Sequence, residues 1–182
     1  SVMAPMVLMT PSTAATMPSA GRASARFCSA WAGPMASLDP HVVPGLADQI
    51  YTFLMYDRLM NLDPNVNLQP MLAKSWKFTD DGRALVLELR DDVLFHDGTP
   101  FNAEAVKINL ERGKNLEAST VKNALSSIES IDVVSDYEVR LNLAAGQGGN
   151  LPAMLASTAG AMISPKAIAD GPGYTAEQAM QE

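Results

Sequence analysis

The strongest constraint on this chain is a short piece of punctuation, Asp80-Asp81-Gly82, set between two runs of strand-forming residues. Glycine reaches positive φ without steric cost, so Asp-Gly in that setting predicts a hairpin, with strands over 75–79 and 83–90. In the second strand Leu85, Leu87 and Leu89 alternate with Val86, Glu88 and Arg90, which makes one face apolar. A second hairpin is predicted over 129–134 and 137–143, turning at Ser135-Asp136. There Tyr137, Val139, Leu141 and Leu143 face one way, and Glu138, Arg140 and Asn142 the other.

Two helices are expected between the hairpins. Asn102 is placed to cap the first, and Glu104 in its first turn complements the helix dipole. Phe101, one before the cap, and Val106, four after it, have the spacing of a hydrophobic staple. This helix is expected to reach Arg112 and to stop at Gly113. The second is expected over 119–127, with Val121, Leu125 and Ile128 on one side. Upstream, residues 46–60 read as a helix with Leu46, Ile50, Phe53, Leu54 and Asp57 on one face, and Leu62-Asp63-Pro64-Asn65 ends it. Residues 71–74 read as a single helical turn, and Leu38-Asp39-Pro40-His41 as a loop.

The ends of the chain are less regular. Residues 146–150 read as a loop, Pro152 as the start of a short helix through Ala156, and Ala161-Met162-Ile163 as a short strand. Ser164-Pro165 opens a helix that Gly171 ends. Thr175 and Gln178 form a capping box, which opens a helix still incomplete at Glu182, so a longer parent chain is expected. At the other end, 27–32 reads as a short strand before the turn Gly33-Pro34. Residues 1–24 are Ala, Ser, Thr, Met and Pro with almost no charge, and read as a leader or a disordered segment.

Composition excludes several classes of function. A net charge of −7 supplies no counterion-release affinity for nucleic acid or anionic membranes. No apolar run approaches the ~20 residues of a membrane-spanning helix. Cys28 is the single cysteine, so no intrachain disulfide forms; it is read as a buried or inert thiol. His96-Asp97, with Glu104 nearby, lacks the His and Cys spacing of a metal site and reads as a turn, Asp97-Gly98 reversing the chain. There is no Gly-x-Ser-x-Gly elbow, and Gly146-Gln147-Gly148-Gly149 lacks the Lys-Ser/Thr of a phosphate loop. The 11 methionines and Trp76 are read as core filler. The residues alone therefore describe an α/β domain with no expected catalytic residue, metal ligand or cofactor. Missing chemistry favours a binding protein over an enzyme.

A resemblance adds what periodicity cannot. Leu72-Ala73-Lys74-Ser75-Trp76, Asp80-Asp81-Gly82, Leu87-Glu88-Leu89-Arg90-Asp91-Asp92-Val93, Phe95-His96-Asp97-Gly98-Thr99-Pro100-Phe101 and Ala103-Glu104-Ala105-Val106 follow one another in order over more than 30 residues. Together they resemble the signature of family 5 extracellular solute-binding proteins, the dipeptide-, oligopeptide- and nickel-binding components of ABC importers. Leu38-Asp39-Pro40-His41, Tyr56-Asp57-Arg58-Leu59 and Ile163-Ser164-Pro165-Lys166 resemble flanking segments of that family. Upstream of Leu38 the likeness fails.

The resemblance implies a mixed α/β (α+β) fold of the type II periplasmic-binding-protein kind. Residues 25–182 would be part of the first lobe with its extra subdomain, the second lobe being absent. It implies a secreted protein, periplasmic or attached to the outer face of the cell membrane. Such a protein captures a small peptide or related solute and passes it to an ABC permease in the membrane. By position in the family, Val43, Pro44 and Gly45 and the run Thr158, Ala159 and Gly160 are the candidate ligand-binding residues. The alternatives are a standalone interaction module and a metal-dependent enzyme domain converging His96, Asp97 and Glu104 on an ion.

Overall fold

The computed structural model describes residues 37–170, except Pro44, Asp80 and Gln147. The segment 1–24, the strand at 27–32, Cys28, Gly33-Pro34, Gly171 and the capping box at Thr175 and Gln178 lie outside the described residues. In chain order the elements are α1 (Leu46–Met55), β1 (Met60–Leu62), β2 (Leu68–Pro70), β3 (Ala73–Phe78), β4 (Ala84–Leu89), α2 (Ala103–Asn115), β5 (Ile128–Ser135), β6 (Glu138–Leu143), α3 (Leu151–Met154), a 3-10 turn (Thr158–Gly160) and α4 (Pro165–Ala169).

Both predicted hairpins form. Gly82 takes a φ of +64°, and its N–H donates to the Thr79 carbonyl at 2.8 Å. Asp81 closes the turn by accepting from the Arg83 amide and the Thr79 hydroxyl, a local bond that ties a short acidic side chain to the reversed backbone. The two hairpins join into one antiparallel sheet in the order β3-β4-β6-β5. The central pairing of β4 with β6 runs without a shift and sets Leu85 opposite Leu141 and Leu87 opposite Val139. All four side chains are fully buried, so the two alternating patterns have become one apolar face. Tyr137 stands just before β6 and remains exposed, which trims the predicted face to Val139, Leu141 and Leu143. The outer pairs are less regular: β3 has one register shift, and β5 has two.

Helix α2 packs against β5 and β6. The Asn102 side chain accepts from the Ala105 amide at 2.9 Å, as an N-cap should, and Phe101 and Val106 are buried at the staple spacing. The helix does not stop at Gly113 but continues to Asn115. Gly113 is there for packing: a Cβ on it would sit 2.8 Å from Leu125 Cδ1 and 3.3 Å from Val121 Cγ2. The lack of a side chain, rather than the freedom of the backbone, explains the glycine.

Four other expectations are corrected. Residues 119–127 form turns rather than a helix, although Val121, Leu125 and Ile128 are buried as their spacing predicts. Hydroxyls compete there for backbone groups: Ser119 donates to the Gly113 carbonyl at 2.6 Å and Ser126 to the Asn123 carbonyl at 2.7 Å. The helix read over 46–60 ends at Met55, because the backbone beyond it is claimed by distant partners. Leu59 donates to Gly160 and Met162 to Asp57, while Met60–Leu62 pairs with Leu68–Pro70 around the Asp63 turn. Its supposed inner face is also open, Leu54 being 79% and Ile50 51% exposed. Residues 71–74 lead directly into β3 instead of making a helical turn. Of the strand at 161–163 only one bridge forms, Ala161 to Arg58.

Candidate ligand-facing site

The loop ahead of α1 is held by charge. Arg112, on α2, grips Asp39 with both terminal nitrogens, Nη1 to Oδ1 at 3.0 Å and Nη2 to Oδ2. The side chains are only 15% and 10% exposed, so the pair works in a medium poorer in water than a surface bridge does. Burial raises the Asp39 carboxyl, but the Arg112 and His41-amide hydrogen bonds and the guanidinium charge outweigh it and hold it below 3.8. His41 lies fully buried beside them, its Nδ1 3.1 Å from Arg112 Nη1 and its carbonyl accepting from the Thr120 amide at 2.9 Å. Tyr56 borders this group, its hydroxyl raised by burial and by the Asp39 charge.

A second polar pin fastens the other end of the strip. Asn109, on the buried side of α2, donates to the carbonyls of Ala105 at 2.9 Å and Ile163 at 2.8 Å. Its Oδ1 accepts from the Ile163 amide at 2.8 Å. One amide side chain thus pairs both backbone groups of Ile163 as a neighbouring strand would. Arg58 crosses the same strip, donating to the Ala156 carbonyl and to Asn61 at 2.9 Å each, with its guanidinium 4.3 Å above the Phe53 ring.

The candidate residues sit along this strip. Val43 is buried, and its carbonyl accepts from the Thr120 hydroxyl at 3.3 Å. Gly45 is half-buried and opens α1, while Pro44 lies outside the described residues. Thr158, Ala159 and Gly160 form the buried 3-10 turn, on which α1, the helix that Gly45 caps, packs. A Cβ on Gly160 would meet the Leu155 carbonyl oxygen at 1.9 Å, which only glycine avoids. Asp39, His41, Arg112 and Asn109 carried no signal of their own as a group, since the partners stand 54 to 73 residues apart.

Beside the strip lies a cavity of about 380 Å³, walled by Leu54, Tyr56, Phe95, Phe101, Met162 and Ser164 among others. Phe95 and Phe101 meet edge to face at 6.0 Å. His96 is exposed, and Asp97-Gly98 makes the expected turn with Gly98 at φ +81°. Asp97 accepts from Ser164 and Thr99, which hold its carboxyl at about 2. Among the described residues no three His, Cys, Asp or Glu side chains gather as a metal site would require, Glu104 included.

The arrangement is that of part of a lobe of a type II periplasmic binding protein, as its superposition on solved structures shows. An ABC transporter substrate-binding protein from Sinorhizobium meliloti matches with a TM-score of 0.67 and 33% identity, over 78% of this chain and 29% of that one. NikZ from Campylobacter jejuni, solved in complex with Ni(L-His), matches with a TM-score of 0.66 and 27% identity, over 77% and 27%. The chain belongs to the bacterial extracellular solute-binding proteins, family 5, whose middle-region pattern matches residues 67–179. The glutathione-binding protein GsiB of Escherichia coli K12 is 34% identical over 134 residues, 72% of this chain and 26% of the relative. The chain therefore spans about a quarter of the length of that curated relative.

Proposed function

We propose that this chain forms one wall of a solute-binding protein that captures a small peptide or related solute outside the cytoplasm. The protein then delivers its ligand to an ABC permease. Residues 25–182 belong to the first lobe, residues 1–24 to a leader, and the protein works in the periplasm or on the outer face of the membrane. Capture is by closure: ligand binds the closed arrangement of two lobes better than the open one and shifts the population toward it. The segments at Val43, Pro44 and Gly45 and at Thr158, Ala159 and Gly160 face the ligand. No cofactor takes part and no bond is made or broken, which makes the protein a carrier component and not an enzyme.

The observation that carries this reading is the family match over 67–179, together with relatives whose printed names are those of solute binders. The test is a chimera in which the 134 matched residues of the E. coli glutathione-binding protein are replaced by this chain's counterpart. Calorimetry against glutathione, short peptides and Ni(L-His) reads the outcome. Micromolar or tighter binding of any one of them supports the reading. A chimera that is folded by circular dichroism and binds none of them overturns it.

A further inference from the structure

Arginine has five donors and no acceptor. The contact of Arg112 Nη1 with His41 Nδ1 at 3.1 Å therefore makes Nδ1 the bare, accepting nitrogen and places the ring proton on Nε2. Among the described residues that Nε2 is fully buried and has no hydrogen-bond partner. The fold thus tolerates an unpaired N–H in order to keep Nδ1 aimed at the guanidinium. The same residue anchors its loop to the turn segment that follows α2, since its carbonyl accepts from the Thr120 amide at 2.9 Å.

We propose that His41 is an acid-sensitive pin, which as the neutral Nε2–H tautomer ties residues 37–43 to α2 and on protonation releases them. A proton arriving on Nδ1 faces the Arg112 N–H, so the hydrogen bond is lost and a second cation stands beside the first. The groups around the imidazole are Asp39 from its own loop, Arg112 from α2 and Tyr56 from the segment after α1, whose hydroxyl feels both charges. The Ala161 carbonyl favours the proton but stands outside hydrogen-bond geometry. Burial lowers the imidazole from 6.5 to about 4; Asp39 pulls it upward, and Arg112 adds to the lowering.

The sign follows from proton counting. Between pH 6.5 and about 4 the released loop binds a proton that the pinned loop does not, so acid favours release. One proton over that window gives about a tenfold rise in the release equilibrium per pH unit. Asp39 acts separately: its carboxyl is held below 3.8, so its contribution is lost only in stronger acid. The pin stands whether or not residues 43–45 touch ligand.

Two measurements on the 182-residue chain test this. Nitrogen-15 imidazole spectra at neutral pH are expected to show His41 as the Nε2–H tautomer, with exposed His96 as the only other ring in the spectrum. Amide hydrogen exchange at Thr120, corrected for its intrinsic rate, is expected to show opening that rises about tenfold per unit as the pH falls through the window. His41→Gln, which offers Arg112 an acceptor but does not titrate, should flatten that profile. Should that variant fail to fold, the spectra and exchange of the unsubstituted chain decide alone. An Nδ1–H tautomer, or a flat Thr120 profile in the unsubstituted chain, overturns the proposal.

Discussion

In the sheet, Leu85 and Leu87 of β4 stand opposite Leu141 and Val139 of β6, and what joins the strands is a dry apolar face. Along the strip of residues 37–45, 57–60 and 155–164 the fastenings are an ion pair, a neutral imidazole, one asparagine and bare backbone. The first region tolerates inexact partners, since any side chain of similar size restores most of the burial. The second does not, because the Asp39–Arg112 pair and the Asn109–Ile163 bonds are matched in geometry, and removing one partner leaves the other buried and orphaned. Polar pins hold backbone and polar groups in place without filling the strip with leucine.

Substitutions can break or sharpen this contrast. The largest expected effect is Leu87→Ala, at about 2–5 kcal/mol in urea unfolding, from lost burial and the cavity left behind. Leu54→Ala, at a side chain 79% exposed, should stay within about 0.5 kcal/mol. Equal losses at the two would show that the apolar contribution is not concentrated in the sheet. Asn109→Ala comes next, at about 3 kcal/mol, since it strands both the amide and the carbonyl of Ile163. Faster exchange of the Ile163 amide should accompany the loss, and a variant as mild as Leu54→Ala would refute the polar-pin account of the strip. Gly82→Val is the smallest of the three disruptive changes, at about 1–2 kcal/mol, because a β-branched residue is forced to a φ of +64°. An unchanged melting temperature there would mean the turn can be made another way.

The same contrast explains what the sequence disclosed. Asp81-Gly82, the leucines of β4 and the cap at Asn102 act within a few residues of themselves, so their pattern is visible along the chain. Period and punctuation also marked Val121, Leu125 and Ile128 as buried, but not that hydroxyls would bend the segment into turns. The helix expected to continue past Met55 lost to backbone partners about a hundred residues away, which no local propensity reports. Gly113 looked like a stop signal because glycine has two uses, and the packing use needs Leu125 in view. Of the strip, only the loop character of Leu38-Asp39-Pro40-His41 was legible. Arg112 and Asn109 read as ordinary helix residues until the fold brought Asp39 and Ile163 to them.

The register shifts on the outer strands bear on how copies of the molecule behave toward each other. An exposed, straight strand edge is a template on which a second chain can align its own backbone. Here β5 is broken in register twice and β3 once, with Lys74 and Lys77 exposed along β3. Within the four-stranded sheet the β4–β6 pairing is straight, and it lies inside the sheet where no second copy reaches it. Irregularity on the perimeter and regularity at the centre thus amount to a safeguard against aggregation, built into the same two hairpins that define the fold.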